Sequence, residues 1–105
     1  MSFAVVLDPE AKADLQRLYG YLLDRAEYLE DLEIAERALQ VIEDAMASLA
    51  RTPFLFRRAA GTRSTLRREL VVPFGASGYV LKYEIVSPEL VVVLAVRHQH
   101  EVDFH

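Results

Sequence analysis

The chain has 105 residues, 52% of them hydrophobic, no cysteine and a formal net charge of −4. A chain of that length buries roughly 65% of its unfolded surface, so residues 1–105 are expected to form one domain without covalent staples. The missing cysteines exclude disulfide scaffolds and thiolate metal sites. The start, MSFAVVLDPE, has no basic region and too short an apolar run for a signal peptide, and no stretch approaches the ~20 apolar residues of a membrane helix. A cytoplasmic protein without membrane contact is expected.

The charge is polarised. Residues 1–50 carry 4 basic and 11 acidic side chains, and residues 51–105 carry 8 basic and 5 acidic ones. Bulk affinity for nucleic acid does not fit the net charge. Between Arg51 and Arg68, however, there are six arginines and no acid. Such a patch attracts a polyanion or an acidic protein segment.

In chain order, Ser2 to Leu7 is a short β-rich run, and Asp8-Pro9-Glu10 starts a helix: Asp as N-cap, Pro at the first helical position, an acid in the first turn. Ala11, Leu15, Leu18, Leu22 and Ala26 recur at spacings of three and four, widened by Tyr19 and Leu23, which predicts a helix to about Ala26 or Leu29. The acidic stretch Glu27 to Glu33 then reads as a connection, with Asp31 or a neighbour capping a second helix. Its stripe is Ile34, Ala38, Val41, Ile42, Ala45 and Leu49, and the two helices make an antiparallel hairpin.

Arg51-Thr52-Pro53 ends the second helix. Phe54 to Thr65 is an irregular, arginine-rich connection in which at least one of Phe54, Leu55 and Phe56 is expected to tuck under the hairpin. Leu66 to Pro73 alternates as a strand, Phe74 to Gly78 forms a turn, and Tyr79 to Val86 alternates again. After Ser87-Pro88-Glu89, Leu90 to Val96 has no polar break, which predicts a central strand covered on both faces. That strand runs into Arg97-His98-Gln99-His100-Glu101, an ionisable cluster that the strand positions and the tail leaves accessible. The order is β-α-α-β-β-β, an α+β fold with a helical hairpin packed on a small, mostly antiparallel sheet.

The GY-x-L-x-Y strand at Gly78 to Tyr83, the V-V-V-L-A-V strand at Val91 to Val96, and the following R-H-x-x-E with a terminal aromatic residue resemble the RelE/ParE superfamily of toxins from type II toxin–antitoxin modules. The resemblance is closest to the ParE-like branch and covers most of the chain. It implies the same element order, the RelE/ParE toxin fold. It also implies a cognate antitoxin with an acidic, partly disordered segment, a hetero-oligomer with that antitoxin, and no cofactor.

Two activities follow from the resemblance. ParE-like members bind a type II topoisomerase, generally DNA gyrase, without catalysis of their own. RelE-like members cleave messenger RNA in the ribosome without a metal. For the second, this chain offers Glu69 as base, His98 or His100 as acid, and Arg68, Lys82 or Arg97 as phosphate clamps. Nuclease members carry Arg directly after the first Tyr of the GY-x-L-x-Y strand, where this chain has Val80. Their basic residue after the last strand aligns with Gln99, two positions from Arg97. These departures favour the ParE-like inhibitor over an enzyme. Arg97, His98, Glu101 and Phe104 are then the candidate target-binding residues, and Arg57, Arg58, Arg63, Arg67 and Arg68 the candidate antitoxin-binding ones. His98, His100 and His105 with Glu101 and Asp103 hold enough ligands for a metal, but the spacing of a catalytic site such as H-E-x-x-H is missing, so no metal is expected.

Overall fold

The structure, a computed structural model, describes residues 2–101. Strand β1 (Ala4–Leu7) passes directly into helix α1 (Pro9–Asp24), followed by α2 (Leu29–Ser48), β2 (Arg57–Arg58), β3 (Arg67–Phe74), β4 (Ser77–Ser87) and β5 (Leu90–His98). A 3-10 turn, Gln99–Glu101, closes the described chain. The sheet order is β1-β5-β4-β3-β2, with β1 parallel to β5 and every other pair antiparallel.

Asp8 caps α1 as its sequence predicts: its side chain accepts the Glu10 amide at 2.9 Å, and Pro9 sits at the first position. The helix ends at Asp24, earlier than Ala26 or Leu29, with Arg25 as its C-cap, its amide donating to the Leu23 carbonyl and its guanidinium over the Tyr21 ring, 4.5 Å from the centroid. Helix α2 starts earlier than expected, at Leu29. Asp31 is not its N-cap but the third residue of the first turn, where its carboxylate reaches back to the amides of Glu27 (2.9 Å) and Tyr28 (3.1 Å). Those two hydrogen bonds, Glu27 first, hold the Asp31 carboxyl below its usual pKa.

The buried stripe of α2 is Ala35, Ala38, Ile42 and Met46, with Leu49 fully buried just past the helix end. Ile34, expected in that stripe, is 39% exposed. The rest of the expected stripe holds: Ala38, Ile42 and Leu49 are buried and Val41 and Ala45 pack against the core, while Ala35 takes the place of Ile34. The helix ends at Ser48, ahead of Arg51-Thr52-Pro53, and Pro53 itself is fully buried.

The segment expected to be wholly irregular contains β2, whose Arg57 and Arg58 pair with Glu69 and Arg68. Phe56 packs against the core while Phe54 and Leu55 stay exposed. Strands β3 and β4 meet in a two-residue loop, Gly75-Ala76, rather than across the whole of 74–78; Gly75 has φ 60°, which a glycine adopts without strain. Gly78 admits no side chain, because a Cβ there would lie 2.2 Å from the Val72 carbonyl oxygen.

Alternation along paired strands sorts the sheet into two faces. Leu70, Val72, Tyr79, Leu81, Tyr83, Ile85, Val91, Val93 and Val96 join both helices in one core. Each fully buried Leu or Val contributes roughly 1.5–3 kcal/mol. Strand β5 is interior to the sheet, as predicted, but covered on one face only: Val91, Val93 and Val96 are buried, whereas Leu90, Val92, Leu94 and Ala95 are half-buried. Both helices lie on the same side, so among the described residues no helix covers the other face.

Candidate functional site

The polar end of β5 is built by three elements. Beyond Val93, which pairs with Leu7, strand β1 has ended and the outer edge of β5 is open. Helix α1 closes it with Asp14, a carboxylate only 8% exposed that accepts the Val96 amide at 2.9 Å. The same carboxylate forms an ion pair with Arg97 and lies 3.8 Å from Arg17. Arg97 is thus held at the sheet edge by α1.

His98 faces the helices. Its Nδ1 accepts the His100 amide at 3.2 Å, so in the neutral ring the proton sits on Nε2 and is donated to Ser77 Oγ at 3.0 Å. Its ring meets Tyr79 edge-on at 5.6 Å and His100 at 5.2 Å. These groups line an open groove of about 600 Å³ between α1 and the β3–β4 turn, walled by Tyr21, Leu22, Phe74 and Tyr79 with Arg17 among its lining residues. Burial raises the Tyr79 pKa above its ordinary value. A mostly apolar groove with a few polar groups is the form of a peptide or ligand site.

The nuclease candidates do not share one surface. Glu69 is paired with Lys82, and Val80 with Arg97, register positions on the sheet face away from the helices, although the Arg97 guanidinium turns round the edge of β5 to Asp14. Arg68 and His98 are opposite Tyr83 and Tyr79 on the helix side. Glu69 is 8% exposed and its Oε1 accepts from Arg57 Nε at 3.0 Å. Val80 is 4% exposed, under the neighbouring side chains of that face. His100 is exposed beside the groove. Phe104, Asp103 and His105 lie outside the described residues, and of Glu101 only the backbone is described.

The arginines divide as well. Arg57 is bound to Glu69, and Arg67 donates to Glu84 at 2.7 Å. Arg68 donates to the carbonyls of Thr65 (2.7 Å), Phe54 (3.0 Å) and Phe56 (2.8 Å), tying the connection down to β3. Its acceptors are uncharged, so its positive charge is not compensated. Arg58 and Arg63 are exposed. The cluster that sequence reasoning missed is Asp14 with Arg17. Its only linear trace is an acid at a core position, between Ala11 and Leu18, three residues before an arginine.

A family model described as the ParE toxin of the type II toxin–antitoxin system parDE matches residues 5–103. The chain belongs to the ParE toxin family, within the RelE/ParE superfamily. It is similar to Toxin RelE3 of Caulobacter vibrioides, 41% identical over 98 residues covering 93% of this chain and 96% of the relative. It is also similar to Toxin RelE1 of the same organism, 33% identical over 87 residues, 83% and 84% of the two chains. A chain from the chromosomal ParDE toxin–antitoxin system of P. aeruginosa shares the fold, with TM-score 0.70 at 16% identity over 91% of this chain and 95% of that one. The α+β fold with a mixed five-stranded sheet is therefore that of the family. Membership makes this ParE-family protein the toxin of a type II module and implies a cognate antitoxin. Among the described residues no helix is long and apolar enough to cross a membrane.

Proposed function

We propose that this toxin acts by binding a type II topoisomerase, DNA gyrase, and that an acidic segment of its antitoxin silences it. The observation that carries this reading is the division of the nuclease candidates: Glu69 and Lys82 are on one face of the sheet, with Val80 buried on that same face, Arg68 and His98 are on the other, and the Arg97 guanidinium is at the edge of β5 against Asp14. Base, acid and phosphate clamp must converge within hydrogen-bond reach of one bond, and residues on opposite faces of a sheet do not. Arg97 is also engaged by Asp14, and His98 by Ser77 and the His100 amide, contacts that suit a fixed recognition surface at the end of β5.

For the antitoxin, the groove at Tyr21, Phe74 and Tyr79 receives an apolar helix face, and the uncompensated cations Arg58, Arg63 and Arg68 meet its acids. Arg57 and Arg67 contribute less, because Glu69 and Glu84 already neutralise them.

The second reading is a ribosome-dependent messenger RNA endonuclease of the RelE kind. It is favoured by the names of the two Caulobacter vibrioides relatives, both RelE toxins. Pulse-labelling of DNA and protein synthesis after induction of the isolated toxin separates the two. Under the gyrase reading DNA synthesis falls first and a DNA-damage response follows; a fall in protein synthesis within minutes, with cleaved messenger on purified ribosomes, would replace it by the nuclease reading.

A further inference from the structure

The first turns of α2 do no work in the core. Burial in that helix begins at Ala35, and ahead of it Tyr28, Leu29 and Leu32 are 67%, 69% and 42% exposed. Residues 27–33 also carry Glu27, Glu30, Asp31 and Glu33 and no cation. The far end of α2 has the opposite character. Past Ser48, Phe54 and Leu55 are 54% and 71% exposed, and the sequence from Arg51 to Arg68 holds six arginines and no acid. The Arg68 guanidinium stacks 5.6 Å from the Phe54 ring and bonds the Phe54 carbonyl, and Arg58 is its neighbour across the β2–β3 ladder.

From these two ends we infer that the chain docks on a second copy of itself, the acidic apolar tip of one copy seating on the basic apolar patch of the next. The complement that the tip requires, exposed apolar side chains among uncompensated cations, is present on this same chain. The 20 residues of α2 separate the two patches by about 30 Å, in a molecule whose longest extent is 44 Å. Each copy thus offers one tip and one patch at opposite ends of α2. A net charge of only −4 opposes such association weakly. An acidic antitoxin that covers the basic end would also block this contact.

Sedimentation equilibrium on the purified full-length protein tests this. At low salt the weight-average mass is expected to rise at least about twofold between ~1 and ~100 µM, the range of weak contacts, and to fall back toward the monomer as salt screens the charges. A tip variant, Leu29→Ser with Leu32→Ser, and a patch variant, Leu55→Ser with Arg58→Glu, alter exposed side chains only, and unchanged melting temperatures verify that both fold. Each alone should stay monomeric, while their equimolar mixture should form a 1:1 dimer and stop there, since one intact tip meets one intact patch. A wild-type protein monomeric throughout would overturn the inference. So would a mixture that stays monomeric, or self-association that survives in either variant alone.

Discussion

Asp14 and Val96, 82 residues apart in sequence, are joined by a 2.9 Å hydrogen bond from the strand amide to the helix carboxylate. The bond lies where β1 ends and β5 continues without a neighbour. An open strand edge invites unwanted pairing, and a carboxylate over the exposed amide blocks it. Because the same carboxylate holds Arg97, closing the edge and orienting that arginine are one interaction.

Asp14→Ala is accordingly expected to destabilise the fold by about 2–4 kcal/mol, between the cost of an orphaned amide and that of a broken, largely buried ion pair. Asp14→Asn keeps an acceptor for Val96 and loses only the charge, so its cost should be smaller. Urea unfolding of the two variants checks the order; equal losses would mean that the amide bond contributes nothing.

Asp8→Ala removes the side-chain acceptor for the Glu10 amide and should cost about 1 kcal/mol. Because Asp8 lies at the junction of β1 and α1, away from the groove, antitoxin affinity should not change. A thermal melt together with calorimetric titration separates the two effects.

Tyr83 is fully buried and its hydroxyl donates to the Pro53 carbonyl at 2.6 Å, which ties β4 to the end of the helical hairpin. Burial raises its pKa from 10 to about 12, with nearby Arg68 acting in the opposite sense. The folded state therefore holds this proton more tightly than the unfolded state does. Its contribution to stability is full below pH 10 and is lost as pH rises through about 12. Tyr83→Phe should cost about 1–2 kcal/mol at neutral pH, through the orphaned carbonyl, and should flatten the decline of stability in that alkaline window. Unfolding curves at neutral pH and across that window test both parts.

Val80→Arg introduces the residue type that the resemblance to nuclease members implies at this position. With Glu69 and His98 on opposite faces it should create no messenger cleavage on purified ribosomes, since base, acid and clamp act together. Placing a guanidinium where a 4% exposed valine stands should also destabilise the fold by about 1–3 kcal/mol, moderated by the reach of the side chain to solvent. Cleavage by the variant would show that the two faces do not separate the chemistry.

Arg58→Glu with Arg63→Glu is expected to slow antitoxin association and reduce its salt dependence, because long-range attraction acts mainly on the encounter rate. Arg67→Glu should matter less for association and more for stability, as it places two acids across the β3–β4 ladder at Glu84. Stopped-flow mixing at low and high salt distinguishes these arginines; identical rates for all variants would make the patch plain solvated surface.

Local signals in the sequence determined the elements. Asp8-Pro9 starts α1, the alternation through Tyr79, Leu81, Tyr83 and Ile85 marks β4, and the unbroken Leu90 to Val96 run marks a strand inside the sheet. Each of these signals lies within a few residues of what it specifies. The tertiary structure decided the rest, because it depends on neighbours distant in sequence. Only the sheet register shows that Arg57 and Arg67 are neutralised by Glu69 and Glu84, or that Glu69 and His98 point to opposite faces. Asp14 carries no mark of its own in the linear chain: a carboxylate in an apolar stripe is tolerated only because β1 stops at Leu7 and leaves the Val96 amide without a partner.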